Sequence, residues 1–286
     1  NISQSSPKDK RRVDTKTPEL AVIQTFLDSL ADSGKSANTI ATYRHNLLAF
    51  ADWIENQRGS FKLPSLQPRN INAYFEYLRT NKRVKPATFN LARGALSAFF
   101  KWAIDEKLID DNPIRKVKKV AVMKGAPKAL SEQLMDKLIA ASLKTPNKRD
   151  GAIVLTLLMT GLRESELVNL LVQDINFTKR ILTVYAGKGG KYREIPLPQQ
   201  VCQILEEYIR AERANVEARY KRPLKRPNLF ISRRGPINRR TIIRIVRALG
   251  ASAGIDCHPH MLRHTYATVI LNKTGDLTAV SALLGH

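Results

Sequence analysis

Residues 36–54 read SANTIATYRHNLLAFADWI, and the apolar side chains Ile40, Tyr43, Leu47, Phe50 and Ile54 step by 3, 4, 3 and 4. That is the spacing of one helix face, and Ser36 stands where an N-cap is needed. Upstream, Val22, Ile23, Phe26, Leu27 and Leu30 form another stripe. Downstream, Ile71, Tyr74, Phe75 and Leu78 form a third, and Phe89, Ala92, Leu96, Phe99 and Ala103 repeat the 3, 4, 3, 4 step. Nothing in this stretch alternates as a strand would. The pattern predicts a small all-α domain over residues 18–112, with its aromatic side chains as bundle core and not as cofactor contacts. Residues 1–17, polar and basic, read as a flexible arm.

Asp110-Asp111-Asn112-Pro113 breaks the helical pattern, and between Arg115 and Lys128 there are six basic residues and no acid. By composition, residues 113–128 are a positively charged linker. Beyond it, residues 129–286 carry helical patterns at Ser131–Ser142 and Asp150–Leu170, then a β segment. Ile181, Thr183 and Tyr185 alternate with Leu182 and Val184, and Gly187-Lys188-Gly189-Gly190 forms a tight turn before Tyr192–Ile195. Helix returns from Gln199 to about Tyr220, followed by the apolar run Leu229-Phe230-Ile231, a basic helix from Arg239 to Leu249, and further helices to His286. The expected fold is mainly α with a small antiparallel β-sheet in the C-terminal domain.

A chain of 286 residues accommodates two domains of about 100–200 residues each. With 48 Lys and Arg against 25 Asp and Glu, the net charge is +23. This disfavours an enzyme of small neutral substrates and favours a polyanionic partner. Residues 1–112 hold 17 basic and 12 acidic side chains, net +5, whereas residues 113–286 hold 31 and 13, net +18. The attraction is concentrated in the second half. The uncharged run Gly151–Leu162 is far short of the roughly 20 apolar residues of a membrane span, and no charged-then-apolar leader is read at the start. Two cysteines, Cys202 and Cys257, are too few for a disulfide framework and fit a reducing, cytoplasmic setting. A start at Asn1 and a stop at His286 lead us to expect further residues at both ends.

Four features carry chemistry. Arg163 lies in Thr160-Gly161-Leu162-Arg163-Glu164-Ser165-Glu166-Leu167, where Gly161 ends or bends an apolar helix. Lys188 occupies the tip of the Gly-rich hairpin. His260 and Arg263 are three apart on one helix face, with His264 next. His286 follows Leu283-Leu284-Gly285. Of five histidines, His258, His260, His264 and His286 fall in the last 29 residues. Singly, Arg163 reads equally as a salt-bridge partner and the glycines as an ordinary turn, without the spacing of a phosphate-binding P-loop. His260 and His264 lack the intervening glutamate of a metalloprotease, and no carboxylate cluster suits paired magnesium ions, so no metal and no cofactor are expected. Together, two guanidiniums, an ammonium and two imidazoles suit one phosphodiester. Arginine binds phosphate oxygens bidentately and holds the charge that develops in a pentacoordinate transition state. A lysine beside other cations is a natural proton donor.

In this order, Arg163 (TGLRESEL), Lys188 (GKGGKYREIPL), His260-Met261-Leu262-Arg263-His264 and Leu283-Leu284-Gly285-His286 resemble the tyrosine recombinases, especially their Xer and phage or transposon integrase branch. The resemblance begins near residue 18, where the helical domain resembles the core-binding, SAM-like domain of that family. It implies a metal-independent, site-specific DNA strand transferase. A tyrosine hydroxyl attacks the scissile phosphate, giving a 3′-phosphotyrosyl link, and a partner 5′-OH reverses the step through a Holliday junction in a homotetramer on paired recombination sites. It further implies that Arg163 and Arg263 hold the non-bridging oxygens and that Lys188 protonates the leaving oxygen. His260 and His286 would hydrogen-bond the phosphate, with Glu166 and His264 in support. The family places its nucleophile about nine residues past the last histidine, so the attacking tyrosine is expected just after His286, and Tyr266 is read as packing.

The charge map suggests a two-domain DNA clamp. Arg239, Arg240, Arg244 and Arg247, introduced by Arg233-Arg234, form a helix suited to the major groove. Arg44, Lys82, Arg83, Lys85 and Arg93 on the first domain, with Lys118 and Lys119 of the linker, are expected on phosphates. Partners are double-stranded DNA, copies of the same chain and, as candidates, accessory DNA-bending proteins, in a prokaryotic, nucleoid-associated setting without a membrane. Integration, excision or resolution for a mobile element is the expected role. Two alternatives stay open, a type IB topoisomerase-like DNA relaxation activity and a non-catalytic DNA-binding accessory protein.

Overall fold

The computed structural model describes residues 18–122, 129–185, 192–221 and 223–285, and the chain divides into two compact units between residues 124 and 125. Among the described residues, the first unit has four α-helices, α1 (Pro18–Asp32), α2 (Ala37–Arg58), α3 (Pro68–Thr80) and α4 (Pro86–Asp105). Ser36 caps α2, its side chain accepting from the Thr39 amide. The stripes face inward as their spacing requires. Ile23, Phe26 and Leu27 of α1, Leu47, Phe50 and Ile54 of α2, all four apolar residues of α3 and all five of α4 are buried in one core. Its rings meet edge-on, Phe50 with Tyr74 at 5.0 Å between centroids and Phe26 with Phe99 at 5.5 Å, the offset geometry that aromatic quadrupoles favour.

The basic segment expected to be an extended linker is docked over its first part. Ile114 and Val117 are buried in the first unit's core, and Val120 packs against it. The Asn90 side chain exchanges two hydrogen bonds with the Val120 backbone, at 2.8 and 3.0 Å, and the Nε of Arg93 donates to the Val117 carbonyl at 2.6 Å. Three apolar side chains spaced by three seat this stretch, while Arg115, Lys116, Lys118 and Lys119 face solvent. The expected arm 1–17 and linker residues 123–128 lie outside the described residues.

The second unit is organised around α6 (Lys148–Thr160), whose residues from Gly151 to Leu158 are all buried, as an all-round apolar helix must be. Packed against it are α5 (Glu132–Lys144), α8 (Gln199–Glu207), α10 (Arg239–Ser252) and α11 (Pro259–Thr274). The short α7 (Glu164–Asn169) follows α6. Helix α8 runs on through a π-helical turn, Tyr208–Arg213, into α9 (Ala214–Glu217), and α12 (Leu277–Leu284) follows α11. A three-stranded antiparallel sheet has the order β1 (Ile175–Asn176), β2 (Ile181–Tyr185), β3 (Tyr192–Pro196), with Leu182 opposite Ile195 and Tyr185 opposite Tyr192. The single expected sheet is joined by a second, two-stranded ribbon, β4 (Ile231–Ser232) and β5 (Gly235–Pro236), whose turn holds Arg233 and Arg234. No helix among the described residues is long and apolar enough to cross a membrane.

Candidate active site

Gly161 creates the geometry on which the site rests. It ends α6 in the left-handed conformation (φ 63°), its amide donating to the Leu157 carbonyl. A Cβ there would lie 2.4 Å from Cδ1 of Tyr266 and 3.0 Å from Cδ2 of Leu284. Only glycine satisfies both demands. Leu162 is buried next to it, and the chain emerges at Arg163, the N-cap of α7 with extended backbone.

Three arginines from distant parts of the sequence surround the carboxylate of Glu166. Its Oε2 accepts from the Arg163 amide at 2.8 Å and from Nη2 of Arg193 at 2.9 Å. Its Oε1 accepts from Nη1 of Arg163 and from Nη1 of Arg193, both at 3.1 Å. Nη1 of Arg263 lies 3.9 Å from Oε2. Four donors fill the acceptor capacity of one carboxylate. Burial alone would raise the Glu166 carboxyl, but the Arg193 hydrogen bonds, the Arg163 amide and the two positive charges outweigh it and hold the group below the usual carboxylate range.

Arg263, on α11, is buried and its guanidinium donates to the carbonyls of Gly161 at 2.5 Å and Leu284 at 2.8 Å. Burial, with the charge of Arg163 next, lowers its pKa to about 10, so it stays cationic at neutral pH. Arg163 differs in exposure. Its side chain is 36% accessible, and among the described residues Glu166 is the hydrogen-bond partner of its guanidinium, through Nη1. An arginine held rigidly at one nitrogen and open at the others is suited to a phosphate.

Among the expected site residues, Arg163, Glu166 and Arg263 are thus brought together. His260 sits at the rim, its side chain 65% exposed and Nε2 4.0 Å from the buried Glu164 carboxylate. His264 is on the exposed face of α11, without a hydrogen bond or ion pair to the cluster among the described residues. His258 has a local task, capping α11 by accepting from the Met261 amide at 3.2 Å. Lys188 and His286 lie outside the described residues, although β2 and β3 flank the first and Gly285 precedes the second. Tyr266 is buried with its ring over Gly161, and burial raises its hydroxyl, as packing and not nucleophilic activation would have it. Among the described residues no three His, Cys, Asp or Glu side chains group as metal ligands.

Two residues escaped the sequence reading. Glu164 carries no sequence signal beyond its place in the first turn of α7. Arg193 does carry one. Strand alternation puts it on the same face as buried Ile195, opposite Val184, and an arginine facing inward requires a carboxylate.

The expected DNA contacts divide by exposure. Arg239, Arg240, Arg244 and Arg247 are all exposed on α10, while Ile242, Ile245 and Val246 form its buried face. Lys82, Arg83 and Lys85 are exposed in the turn between α3 and α4, as are Lys118 and Lys119, and Arg44 is half-buried. Arg93 does not stand free as expected but is half-buried and tied to Val117.

Comparison with known proteins gives matches across the chain. A model described as the phage integrase N-terminal SAM-like domain matches residues 22–110, and one described as the phage integrase family matches residues 128–286. The chain is 34% identical over 301 residues to tyrosine recombinase XerD of Xanthomonas campestris pv. campestris, covering 100% of this chain and 91% of that protein. It is 35% identical over 275 residues to tyrosine recombinase XerA of Pyrococcus furiosus, covering 95% and 87%. In fold it resembles a lambda integrase dimer bound to a COC′ core site, with TM-score 0.70 at 20% identity, covering 93% of this chain and 94% of that one.

Proposed function

This chain belongs to the tyrosine recombinases of the phage integrase family, and from that premise we propose that it is a site-specific DNA recombinase whose phosphate-binding centre is built on Arg163 and Arg263. The observation that supports this reading most directly is their meeting, 100 residues apart in sequence, around Glu166 of α7. Arg163 and Arg263 grip the non-bridging oxygens of the scissile phosphate, and Glu166 fixes the first of them. His260 donates to the phosphate or takes the nucleophile's proton. Lys188 protonates the leaving 5′-oxygen, and His286 adds a hydrogen bond. The attacking hydroxyl belongs to a tyrosine C-terminal to His286, and the 3′-phosphotyrosyl bond it forms conserves the energy for rejoining. Strand exchange proceeds through a Holliday junction in a tetramer on paired sites, in the service of a mobile element.

DNA is held by the exposed arginines of α10 and by the 82–85 turn and Lys118 and Lys119 of the first unit, which together make affinity strongly salt-dependent. The test uses the full-length protein and a nicked duplex carrying a site it selects from a random-sequence library. A covalent adduct on denaturing gels is expected, and recombinant junctions on paired duplexes separate strand exchange from relaxation. Arg163→Ala should bind this DNA nearly as well as the wild type and form no adduct. Adduct formation at the wild-type rate would refute the assignment.

A further inference from the structure

Arg193 lies within the quoted stretch GKGGKYREIPL, yet the proposed chemistry gives it no role. It leaves β3 and makes a fork-to-fork pair with Glu166, at 3.1 and 2.9 Å. Its Nε donates to the Leu283 carbonyl at 2.8 Å. Its guanidinium also lies close to Gly285, where a Cβ would come within 2.8 Å of Nη1, and Gly285 is left-handed (φ 69°). One planar group therefore joins three segments. These are strand β3, the α7 carboxylate that holds Arg163, and the end of α12.

We propose that Arg193 is a positioning residue of strand cleavage, setting Arg163 through Glu166 and fixing the end of α12 against the strand that returns from Lys188. The inference rests on the recombinase reading. Its side chain is 12% exposed and its hydrogen-bonding nitrogens are engaged by protein oxygens, so contact with the phosphate is not its task. Lysine cannot replace it, since a single ammonium cannot pair both carboxylate oxygens and also reach the Leu283 carbonyl. Among the described residues, the charged groups facing Glu166 are Arg163 at the N-cap of α7, Arg193 of β3 and Arg263 of α11, while His260 of α11 faces Glu164 instead. Removing the β3 guanidinium strips Glu166 of half its donors and leaves Arg163 less firmly placed.

The experiment measures single-turnover cleavage of the nicked, library-selected duplex by the full-length protein, with affinity measured separately. Arg193→Gln should cleave about 10²-fold more slowly, the scale of a small misplacement of a reacting group, with affinity within about threefold of wild type. Its acid limb should move to higher pH, because Glu166 loses the neighbour that keeps it ionised. Arg193→Lys, which retains bulk and charge, should recover less than a tenth of the wild-type rate. Glu166→Gln combined with Arg193→Gln should be no slower than the worse single variant, as expected of residues acting in series. Cleavage by Arg193→Gln within threefold of wild type, recovery by lysine, an unmoved acid limb or additive losses would each overturn the proposal. Absence of any adduct with the wild-type protein would instead overturn the recombinase reading beneath it.

Discussion

Gly161→Ala tests the steric premise of the site, and the structure sets its size. Two costs add. A non-glycine residue at φ 63° loses about 1–2 kcal/mol to left-handed strain. The new methyl would also stand 2.4 Å from the Tyr266 ring and 3.0 Å from Leu284, where carbon atoms prefer about 3.5–4.0 Å. Overpacking of this kind costs about 1–3 kcal/mol, since Tyr266 is only 8% exposed and has little room to withdraw. Gly275 is the internal control. It ends α11 at φ 66°, with nothing within 4 Å of the position of a Cβ. Gly275→Ala therefore incurs the first cost alone, and the two variants should differ by about 1–3 kcal/mol.

The probe must see the second unit. Both tryptophans, Trp53 and Trp102, lie in the first unit, so tryptophan fluorescence would miss the effect. Hydrogen exchange of α6 and α11 peptides against urea reports it directly. Tyr266→Ala introduced with Gly161→Ala should recover part of the excess, as a double-mutant cycle requires. Equal destabilisation by the two glycine substitutions, within about 0.5 kcal/mol, would refute the claim that Gly161 is needed for its close approach as well as for its backbone.

Other expectations follow from single features. Glu166 is ionised more readily than an ordinary carboxylic acid, so the stability it confers is complete above the normal carboxylate range and disappears as pH falls through its lowered value; Glu166→Gln should flatten the acid dependence of second-unit unfolding between pH 3 and 5, roughly the window of glutamate titration. Arg240→Ala with Arg244→Ala should reduce the slope of log affinity against log salt by about 2, one unit for each lost phosphate contact, measurable by fluorescence anisotropy on labelled duplex. Cys202 and Cys257 are buried with their thiols pushed up by burial, so maleimide should label neither in the native protein and both in denaturant. Leu96→Ala, in the fully buried centre of α4, should destabilise the first unit by about 2–5 kcal/mol, and here tryptophan fluorescence is the right probe.

Helical stripes were legible wherever burial acts on one face. In α2 through α4 every residue counted in a stripe is buried or packed on the core, because a 3, 4 spacing admits few other readings. The segment after Pro113 reads as a linker because it has six basic residues and no acid, yet Ile114, Val117 and Val120 are enough to dock its first part. The ribbon of β4 and β5 was hidden for a different reason. Strands of two residues each are too short to show alternation, and only long-range packing makes them. In the site, Arg163 and Arg263 stood out by motif, whereas Glu164 could not. Its partner His260 is 96 positions away, and one sequence without relatives contains no trace of that proximity. Arg193 was readable from strand alternation alone, once an inward arginine is taken as a request for a carboxylate.

The charge balance of the cluster explains why such a site can exist before DNA arrives. Arg163, Arg193 and Arg263 face one another across Glu166, with Glu164 as the second acid, so the cations are in excess and repel. Two devices offset this. Glu166 is saturated by hydrogen bonds from two of the arginines, and Arg263, farthest from it at 3.9 Å, turns its hydrogens to the carbonyls of Gly161 and Leu284. Carbonyl oxygens carry only partial charge. They hold the guanidinium in place, and on the proposed function the excess positive potential of the cluster is what meets the phosphate. A third carboxylate in their place would make the empty protein more stable and the phosphate less welcome.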